Sequence, residues 1–181
     1  GRVLDAIEKS GEAKQTIVIF TSDNGCAPYV GAKALEKMGH YPSGPLRGYK
    51  SDVWEGGHRV AFIVRWPGVV KAGTVCGQLA HQADIMATCA SMAGVEVPPT
   101  AGEDSFNLRP LLEGKDTPIR EHAISQGMGG LLSIRRGDWK LIFGPGSGGW
   151  TKGRDKLPGQ LFHLGRDLAE SKNLYAEKTD V

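Results

Sequence analysis

The sequence TIVIF at residues 16–20 decides the fold class of this chain, because it is a short apolar run without alternation. Such a run is typical of a strand buried on both faces, the usual state of a parallel strand between two layers of helices. The preceding residues, 3–14, place Val3, Leu4 and Ile7 on one side and charged side chains elsewhere. This spacing predicts an amphipathic helix. A helix followed by a buried strand indicates an α/β fold.

The α/β pattern continues beyond the first strand. Residues 59–66 predict a second strand, stopped by a Pro-Gly dipeptide, and residues 79–93 predict a helix closed by Gly94. Between them, residues 29–55 contain several Gly and Pro and show no clean period, which predicts a long surface excursion with a short helix near 32–37. Loops of this length are often functional.

The texture of the sequence changes after about residue 115. Several short apolar runs there are separated by Gly-rich turns and predict a small antiparallel sheet, with strands at 123–125, 131–135, 139–143 and 161–164. The Gly-rich stretch 144–149 is interpreted as a mobile loop. We therefore predict two domains: residues 1–115 form the α/β part and residues 116–181 form an antiparallel-sheet subdomain.

Composition excludes several functional classes. The chain has 181 residues, of which 40% are hydrophobic, so it can bury a sizeable core. Its formal charge of +2 provides no bulk attraction to nucleic acid or to a membrane surface, and no apolar run has the length of a bilayer span. The three cysteines, Cys26, Cys76 and Cys89, do not have zinc-site spacing. Any recognition of an anion must therefore be local.

The first motif with chemical content is SDNG at residues 22–25, directly after the first strand. Ligands of open α/β sheets bind beyond the carboxyl ends of the strands, so the location suits a site. Asp23 and Asn24 carry oxygens of the kind that calcium and magnesium prefer. Two ligands are too few for a complete metal site, and a tight Asp-Asn-Gly turn is the simpler interpretation of this tetrapeptide alone.

The second motif consists of RGYK at residues 47–50 and WEGGHR at residues 54–59. A fixed ammonium group such as that of Lys50 can stabilise developing negative charge in a transition state. The alternative is that Lys50 is a solvated loop lysine and that Arg59 only pairs with Glu55. Taken alone, this motif does not decide between the two.

Taken together and in order, these motifs resemble the sulfatase family of the alkaline phosphatase superfamily. The resemblance covers nearly the whole chain and rests on TSDNG at 21–25, RGYK at 47–50, EGGHR at 55–59, IVRWPG at 63–68, HQADIMAT at 81–88, GEDS at 102–105, IRRGDWKL at 134–141 and QLFHL at 160–164. It implies the C-terminal part of an alkaline-phosphatase-like α/β sandwich, followed by a small antiparallel-sheet α+β subdomain.

The resemblance also implies an activity and a set of site residues. In that family an Asp-Asn pair ligates calcium and a lysine contacts the sulfate group, which assigns the metal-binding role to Asp23 and Asn24 and the catalytic role to Lys50. The nucleophile is a formylglycine, expected here in a missing N-terminal portion of the same enzyme. The intact enzyme would hydrolyse a sulfate ester, and this chain alone is expected to be inactive.

Several other residues invite a chemical role. The sequence CAPYV at 26–30 fits four positions of the family's nucleophile signature but has Val30 where arginine is required, so Cys26 is interpreted as an ordinary loop cysteine. His58 lies beside the Lys50 motif in sequence, and His40 lies in the long excursion. Both are candidate substrate-binding residues.

Two rival functions remain open at this point. A phosphodiesterase or phosphonate hydrolase of the same superfamily would use a similar metal and cationic groups. A non-enzymatic module that has lost the active site would keep the fold alone. The partners implied by the resemblance are a sulfated small molecule or glycan and the remainder of the same enzyme, without nucleic acid or a membrane span. Family resemblance implies a periplasmic, extracellular or lysosomal location.

Overall fold

A computed structural model describes residues 1–153 and 156–181 of the chain. These residues form two compact units, each built from two separate stretches of sequence. The first unit contains residues 1–21 and 62–121, and the second contains residues 22–61 and 122–181. None of the helices in the described ranges combines the length and the apolar character that a bilayer span requires.

The first unit combines three α-helices with a two-stranded sheet. The helices are α1 (Arg2–Lys9), α4 (Asp84–Met92) and α5 (Arg109–Leu112), and the strands are β1 (Val18–Thr21) and β2 (Phe62–Arg65). A buried ion pair between Asp84 and Arg120 fixes the start of α4, where the Asp84 carboxylate also accepts hydrogen bonds from the backbone N–H groups of His81 and Phe106 at 2.7 and 3.0 Å. This carboxylate thus ties the start of α4 to the residue three positions before it and to the loop at Phe106.

The prediction that β1 is a parallel strand buried on both faces is wrong for this chain. The strand pairs antiparallel with β2, with Val18 opposite Arg65 and Thr21 opposite Phe62. Phe20 and Ile63 remain 63% and 60% exposed. In a two-stranded sheet each strand has only one neighbour, so an apolar sequence does not by itself ensure burial.

The predicted helices agree with the structure in position but not always in length. The short helix α2 (Ala32–Lys37) coincides with its prediction. The predicted helix at 3–14 is shorter, because α1 ends at Lys9 and Gly11 then adopts a left-handed conformation with φ of 80°. The predicted helix at 79–93 begins later, at Asp84, and Gly94 follows its end in the left-handed conformation, with φ of 68°.

The second unit contains the predicted antiparallel sheet. Its strands follow the chain order β3 (His122–Gln126), β4 (Leu132–Arg136), β5 (Trp139–Ile142) and β6 (Gln160–His163), and every neighbouring pair is antiparallel. The two residues between β4 and β5 form a tight turn in which Gly137 has φ of 56°. Positive φ is the conformation that such hairpin turns require.

The core of the second unit joins its two stretches of sequence. Val53 and Trp54 from the long excursion pack with Ile142, Phe162 and Leu164 from the sheet. Each large apolar side chain buried here contributes roughly 1.5–3 kcal/mol relative to exposure. The excursion therefore packs with the C-terminal sheet. The domain boundary between residues 115 and 116 stays a prediction.

Candidate active site

The five predicted site residues lie in residues 22–61, within the second unit. Asp23 and Asn24 follow β1 in a turn in which the Ser22 hydroxyl donates to the Asn24 carbonyl oxygen at 2.9 Å. The Asn24 side-chain Nδ2 donates to the Gly25 carbonyl at 2.9 Å, which leaves its Oδ1 as an acceptor. The Asp23 side chain is exposed, and the Ser22 hydroxyl approaches its Oδ1 at 3.5 Å.

This pair of oxygens fits part of a calcium site. Carboxylate and amide oxygens are the ligands that calcium prefers, but the ion takes six to eight of them. Within residues 1–153 and 156–181, no cluster of three or more His, Cys, Asp or Glu is arranged to hold a metal. Asp23 and Asn24 can therefore supply two of the six to eight oxygen ligands that a calcium ion takes.

The backbone of Lys50 is tied directly to the turn that carries Asp23 and Asn24. The Lys50 N–H donates to the carbonyl oxygen of Cys26, two residues after Asn24, at 2.9 Å. The buried carboxylate of Asp52 accepts the backbone N–H of Tyr49 at 2.9 Å, which closes the turn around Lys50. The two predicted motifs are thus adjacent through backbone contacts.

Tyr49 adds a further attachment of this turn to α2. Its hydroxyl donates to the Glu36 carboxylate at 2.6 Å. This hydrogen bond, together with burial and the negative charge of Glu36, raises the pKa of Tyr49 to about 12. Tyr49 therefore stays a neutral donor over the physiological pH range.

The Gly-rich stretch 144–149, interpreted from sequence as a mobile loop, supports the Lys50 turn. The carbonyl oxygen of buried Ser147 accepts the Val53 N–H at 2.7 Å, and Gln160 Nε2 donates to the carbonyl oxygens of Gly144 and Gly146 at 2.9 and 2.7 Å. A Cβ atom built on Gly149 would lie 2.4 Å from the Ser51 carbonyl oxygen. Glycine is thus required where this stretch approaches the Lys50 turn.

Helix α3 (Glu55–His58) joins the two motifs, because its glycines allow backbone contact on two sides. The Gly25 N–H donates to the Gly57 carbonyl at 2.8 Å, and the Gly56 N–H donates to the Arg47 carbonyl at 2.7 Å. A Cβ on Gly56 would lie 2.3 Å from the Gly48 carbonyl oxygen, and one on Gly25 would lie 1.8 Å from the Gly56 carbonyl oxygen. The Gly-Gly pair therefore lets the Asp23–Asn24 turn and the Lys50 turn meet.

The two candidate histidines occupy different surroundings. His40 is exposed shortly after α2. His58 ends α3 with 30% of its side chain exposed, and its Nε2 lies 3.5 Å from both Glu55 Oε1 and Lys140 Nζ. Burial lowers the pKa of His58, opposed by its hydrogen bond with Glu55. The structure brings His58 to a buried ion cluster, and the substrate-binding role of both histidines stays a prediction.

Sequence reasoning missed that ion cluster. Lys140 in β5 is 1% exposed, and its Nζ lies 2.9 Å from Glu55 Oε1 and 2.9 Å from Glu170 Oε1. Arg59 contacts the other oxygen of Glu55 at 3.0 Å. The signal was present in the predicted strand, since a lysine two positions before buried Ile142 points to the same face.

The two carboxylates of the cluster respond differently to their surroundings. Burial opposes ionisation of Glu55, but the hydrogen bond from His58 and the charge of Lys140 together hold its pKa well below its usual range. Burial raises the pKa of Glu170 despite the opposing charge of Lys140. Glu55 is therefore the more firmly ionised partner of Lys140.

The segments of this arrangement match a known protein family. The family model described as Sulfatase matches residues 1–95, more than half of the chain. The chain belongs to the sulfatase family. The match includes the Asp23–Asn24 turn, the Lys50 turn and α3, so the segments brought together in the second unit are sulfatase segments.

Individual sulfatases match nearly the whole chain. An N-acetylgalactosamine-6-O-sulfatase of Bacteroides thetaiotaomicron is 36% identical over 190 residues, covering 100% of this chain and 37% of the relative. The N-acetylgalactosamine-6-sulfatase of Mus musculus is 32% identical over 194 residues, covering 94% of this chain and 36% of the relative. A steryl-sulfatase of Mus musculus is 40% identical over 122 residues, or 67% of this chain. The chain thus spans little more than a third of the length of the first two relatives.

Solved structures confirm the predicted fold. One, described under the metabolism of multiple glycosaminoglycans by Bacteroides thetaiotaomicron, has a TM-score of 0.85 at 34% identity and covers 98% of this chain and 38% of that chain. Another, in complex with its substrate D-glucosamine-2-N,6-O-disulfate, has a TM-score of 0.71 at 25% identity, and the match covers 99% of this chain and 34% of that one. This chain therefore has the alkaline-phosphatase-like α/β fold of the sulfatases, here with two antiparallel sheets.

Proposed function

We propose that this chain supplies part of the active site of a sulfate-ester hydrolase. The observation that carries the proposal is the backbone junction between the two sulfatase motifs, in which Lys50 N–H bonds to Cys26 and Gly25 N–H bonds to Gly57. This junction holds a pair of hard oxygen ligands and a cationic side chain in neighbouring turns. Sulfuryl transfer needs both, because negative charge develops on the sulfuryl oxygens.

The proposed roles follow from the chemistry of each side chain. Asp23 and Asn24 hold calcium through their oxygens, and the ion, when bound, helps neutralise the sulfate group. The Lys50 ammonium contacts a sulfuryl oxygen and stabilises its developing charge. The proposal assigns the formylglycine nucleophile and the remaining calcium ligands to a part of the enzyme outside these 181 residues.

The proposed substrate is a sulfated saccharide. Two of the relatives that match nearly the whole chain are an N-acetylgalactosamine-6-O-sulfatase and an N-acetylgalactosamine-6-sulfatase, and one similar structure is a complex with D-glucosamine-2-N,6-O-disulfate. The steryl-sulfatase matches a shorter stretch, 67% of the chain. These similarities support a sugar sulfate over a sterol sulfate.

Release of inorganic sulfate by the full-length enzyme tests the reaction and the substrate class together. We expect turnover of N-acetylgalactosamine 6-sulfate, with lower kcat/KM for a steryl sulfate and for the matching sugar 6-phosphate. Preferred hydrolysis of a phosphodiester or phosphonate would instead support the rival activity within the superfamily. Absence of turnover on every ester by a folded, calcium-loaded enzyme would contradict the proposed function.

A further inference from the structure

A buried lysine in β5 has no part in the proposed chemistry. The Nζ of Lys140 lies 2.9 Å from one carboxylate oxygen of Glu55 and 2.9 Å from one of Glu170, and both carboxylates are buried. Moving such charges out of water is costly, and well-packed apolar residues of similar volume are often as stable or more so. The cluster therefore calls for an explanation other than stability.

The cluster fixes the first residue of α3 by side chain and by backbone. The Glu55 side chain accepts from Lys140, and the Glu55 N–H donates to Glu170 Oε2 at 2.7 Å. The two residues that follow, Gly56 and Gly57, make the backbone contacts with the Lys50 turn and the Asp23–Asn24 turn. Any displacement of Glu55 is thus passed directly to the junction of the two motifs.

Glu170 also fixes the beginning of the Lys50 motif. Its carbonyl oxygen accepts a hydrogen bond from Arg47 Nη1 at 2.8 Å, and the Arg47 guanidinium lies over the Trp54 ring with 3.7 Å to the ring centroid. The backbone of Glu170 has φ of 49°, a conformation uncommon for a residue with a side chain. Its side chain and backbone together hold α3 and the Arg47 segment.

We infer that Lys140, together with Glu55 and Glu170, is a positioning group that sets the separation between Lys50 and the Asp23–Asn24 turn. The inference rests on the proposed function for what the two turns do. Lys140 itself does not contact the substrate; its compact ammonium group orients two carboxylates whose other contacts fix α3. An apolar residue could fill the same volume but would supply no directional contact to Glu55.

Three variants of the full-length enzyme test this role. Glu55→Gln removes one charge but leaves Lys140 paired with Glu170, so it should fold. Lys140→Met removes the ammonium but keeps an unbranched side chain of similar size, so Glu170 loses this cation while Glu55 keeps its contact with Arg59. Asp84→Asn is the matched control, because it weakens a separate buried ion pair, Asp84 with Arg120, in the first unit.

The first measurement is kcat and KM for sulfate release, made below the unfolding temperature of each variant. We expect Glu55→Gln to lower kcat about tenfold or more with KM within about threefold of wild type, because a misplaced Lys50 loses contact with developing charge. Asp84→Asn should keep kcat within about twofold of wild type, even if its melting temperature falls as much as that of Glu55→Gln. Equal loss of kcat in both variants would overturn the inference, since general destabilisation would then explain it. If Lys140→Met does not fold, Glu55→Gln decides.

The second measurement does not depend on activity. The amide hydrogens of Gly25, Lys50 and Gly56 are hydrogen-bonded across the junction, so their exchange with deuterium reports its opening. Glu55→Gln should speed their exchange about tenfold, and Asp84→Asn should not. Unchanged exchange in Glu55→Gln would overturn the positioning role. Absence of sulfate release by the wild type, with faster exchange in Glu55→Gln, would contradict only the proposed function.

Discussion

Lys50 is the single residue whose side chain most directly tests the proposed chemistry. Its backbone is held by Cys26 and by the closed turn at Asp52, so replacing the side chain should leave the turn in place. We predict that Lys50→Ala lowers turnover about a hundredfold or more, the scale observed when one preorganised charge-stabilising donor is lost. Sulfate release and thermal unfolding, measured on the same preparation, check this result.

Two further variants make the Lys50 result interpretable. Lys50→Arg keeps the charge but replaces a compact ammonium with a wider planar group, so we expect only partial recovery. Lys37→Ala, at an exposed lysine in α2, should leave turnover unchanged. Near wild-type turnover in Lys50→Ala would contradict the proposed contact between Lys50 and the sulfate group.

Asp23 and Asn24 should control the calcium requirement of the enzyme. Loss of a residue that only supports a metal ligand typically costs about 10–100-fold in affinity, and loss of a direct ligand should cost at least as much. We therefore expect Asp23→Ala and Asn24→Ala each to raise the calcium concentration at half-maximal activity about tenfold or more. Calcium titration, with exposed Asp180→Ala as the control, measures this effect. An unchanged requirement in both variants would exclude the pair as ligands.

At the residue scale, sequence motifs predicted the neighbourhood of Asp23, Asn24 and Lys50 but not Lys140. A lysine within a predicted strand normally indicates a solvent-facing position. Its partner Glu55 lies 85 residues away, so no local pattern connects the two. The position two residues before Ile142 indicates the face on which Lys140 lies, but only the fold reveals that Glu55 and Glu170 meet it there.

At the element scale, the function of α3 is to allow three segments of backbone to touch. A Cβ on Gly57 would lie 2.0 Å from the Asp52 carbonyl oxygen, a backbone atom that cannot easily move aside. We predict that Gly57→Ala lowers the free energy of unfolding by about 1–3 kcal/mol, the usual effect of overpacking. Chemical denaturation measures this change.

A matched glycine provides the control for that element. No heavy atom would lie within 4 Å of a Cβ built on Gly77, and its backbone does not require positive φ. Gly77→Ala should therefore leave the free energy of unfolding almost unchanged. If Gly57→Ala had the same free energy of unfolding as Gly77→Ala, the close contact described between α3 and the Lys50 turn would be contradicted.

Prediction of elements succeeded where local chemistry determines them. The four strands of the C-terminal sheet follow from short apolar runs with glycine at the turns, and Gly94 marks the end of α4. The prediction of a parallel, fully buried β1 was wrong, because an apolar run indicates an apolar environment but does not identify the segment that provides it. The start of α4 was missed because the Asp84 carboxylate, not the apolar period, fixes that end.

At the scale of the whole molecule, this chain spans little more than a third of the length of the two N-acetylgalactosamine-6-sulfatases described above. Local patterns predicted its fold class and the antiparallel sheet of the C-terminal stretch. They did not predict that residues 22–61 group with residues 122–181, because that grouping depends on contacts between distant segments, such as Trp54 with Phe162. The same grouping assembles the candidate site.

The most direct test of the account is sulfate release by the full-length enzyme and by its Asp23→Ala, Lys50→Ala double variant, assayed with calcium on N-acetylgalactosamine 6-sulfate. The account predicts steady turnover by the wild type and almost none by the double variant, with the two unfolding at similar temperatures because neither side chain belongs to the buried core. Turnover by the double variant at a rate near that of the wild type would contradict the claim that these two turns form part of the active site.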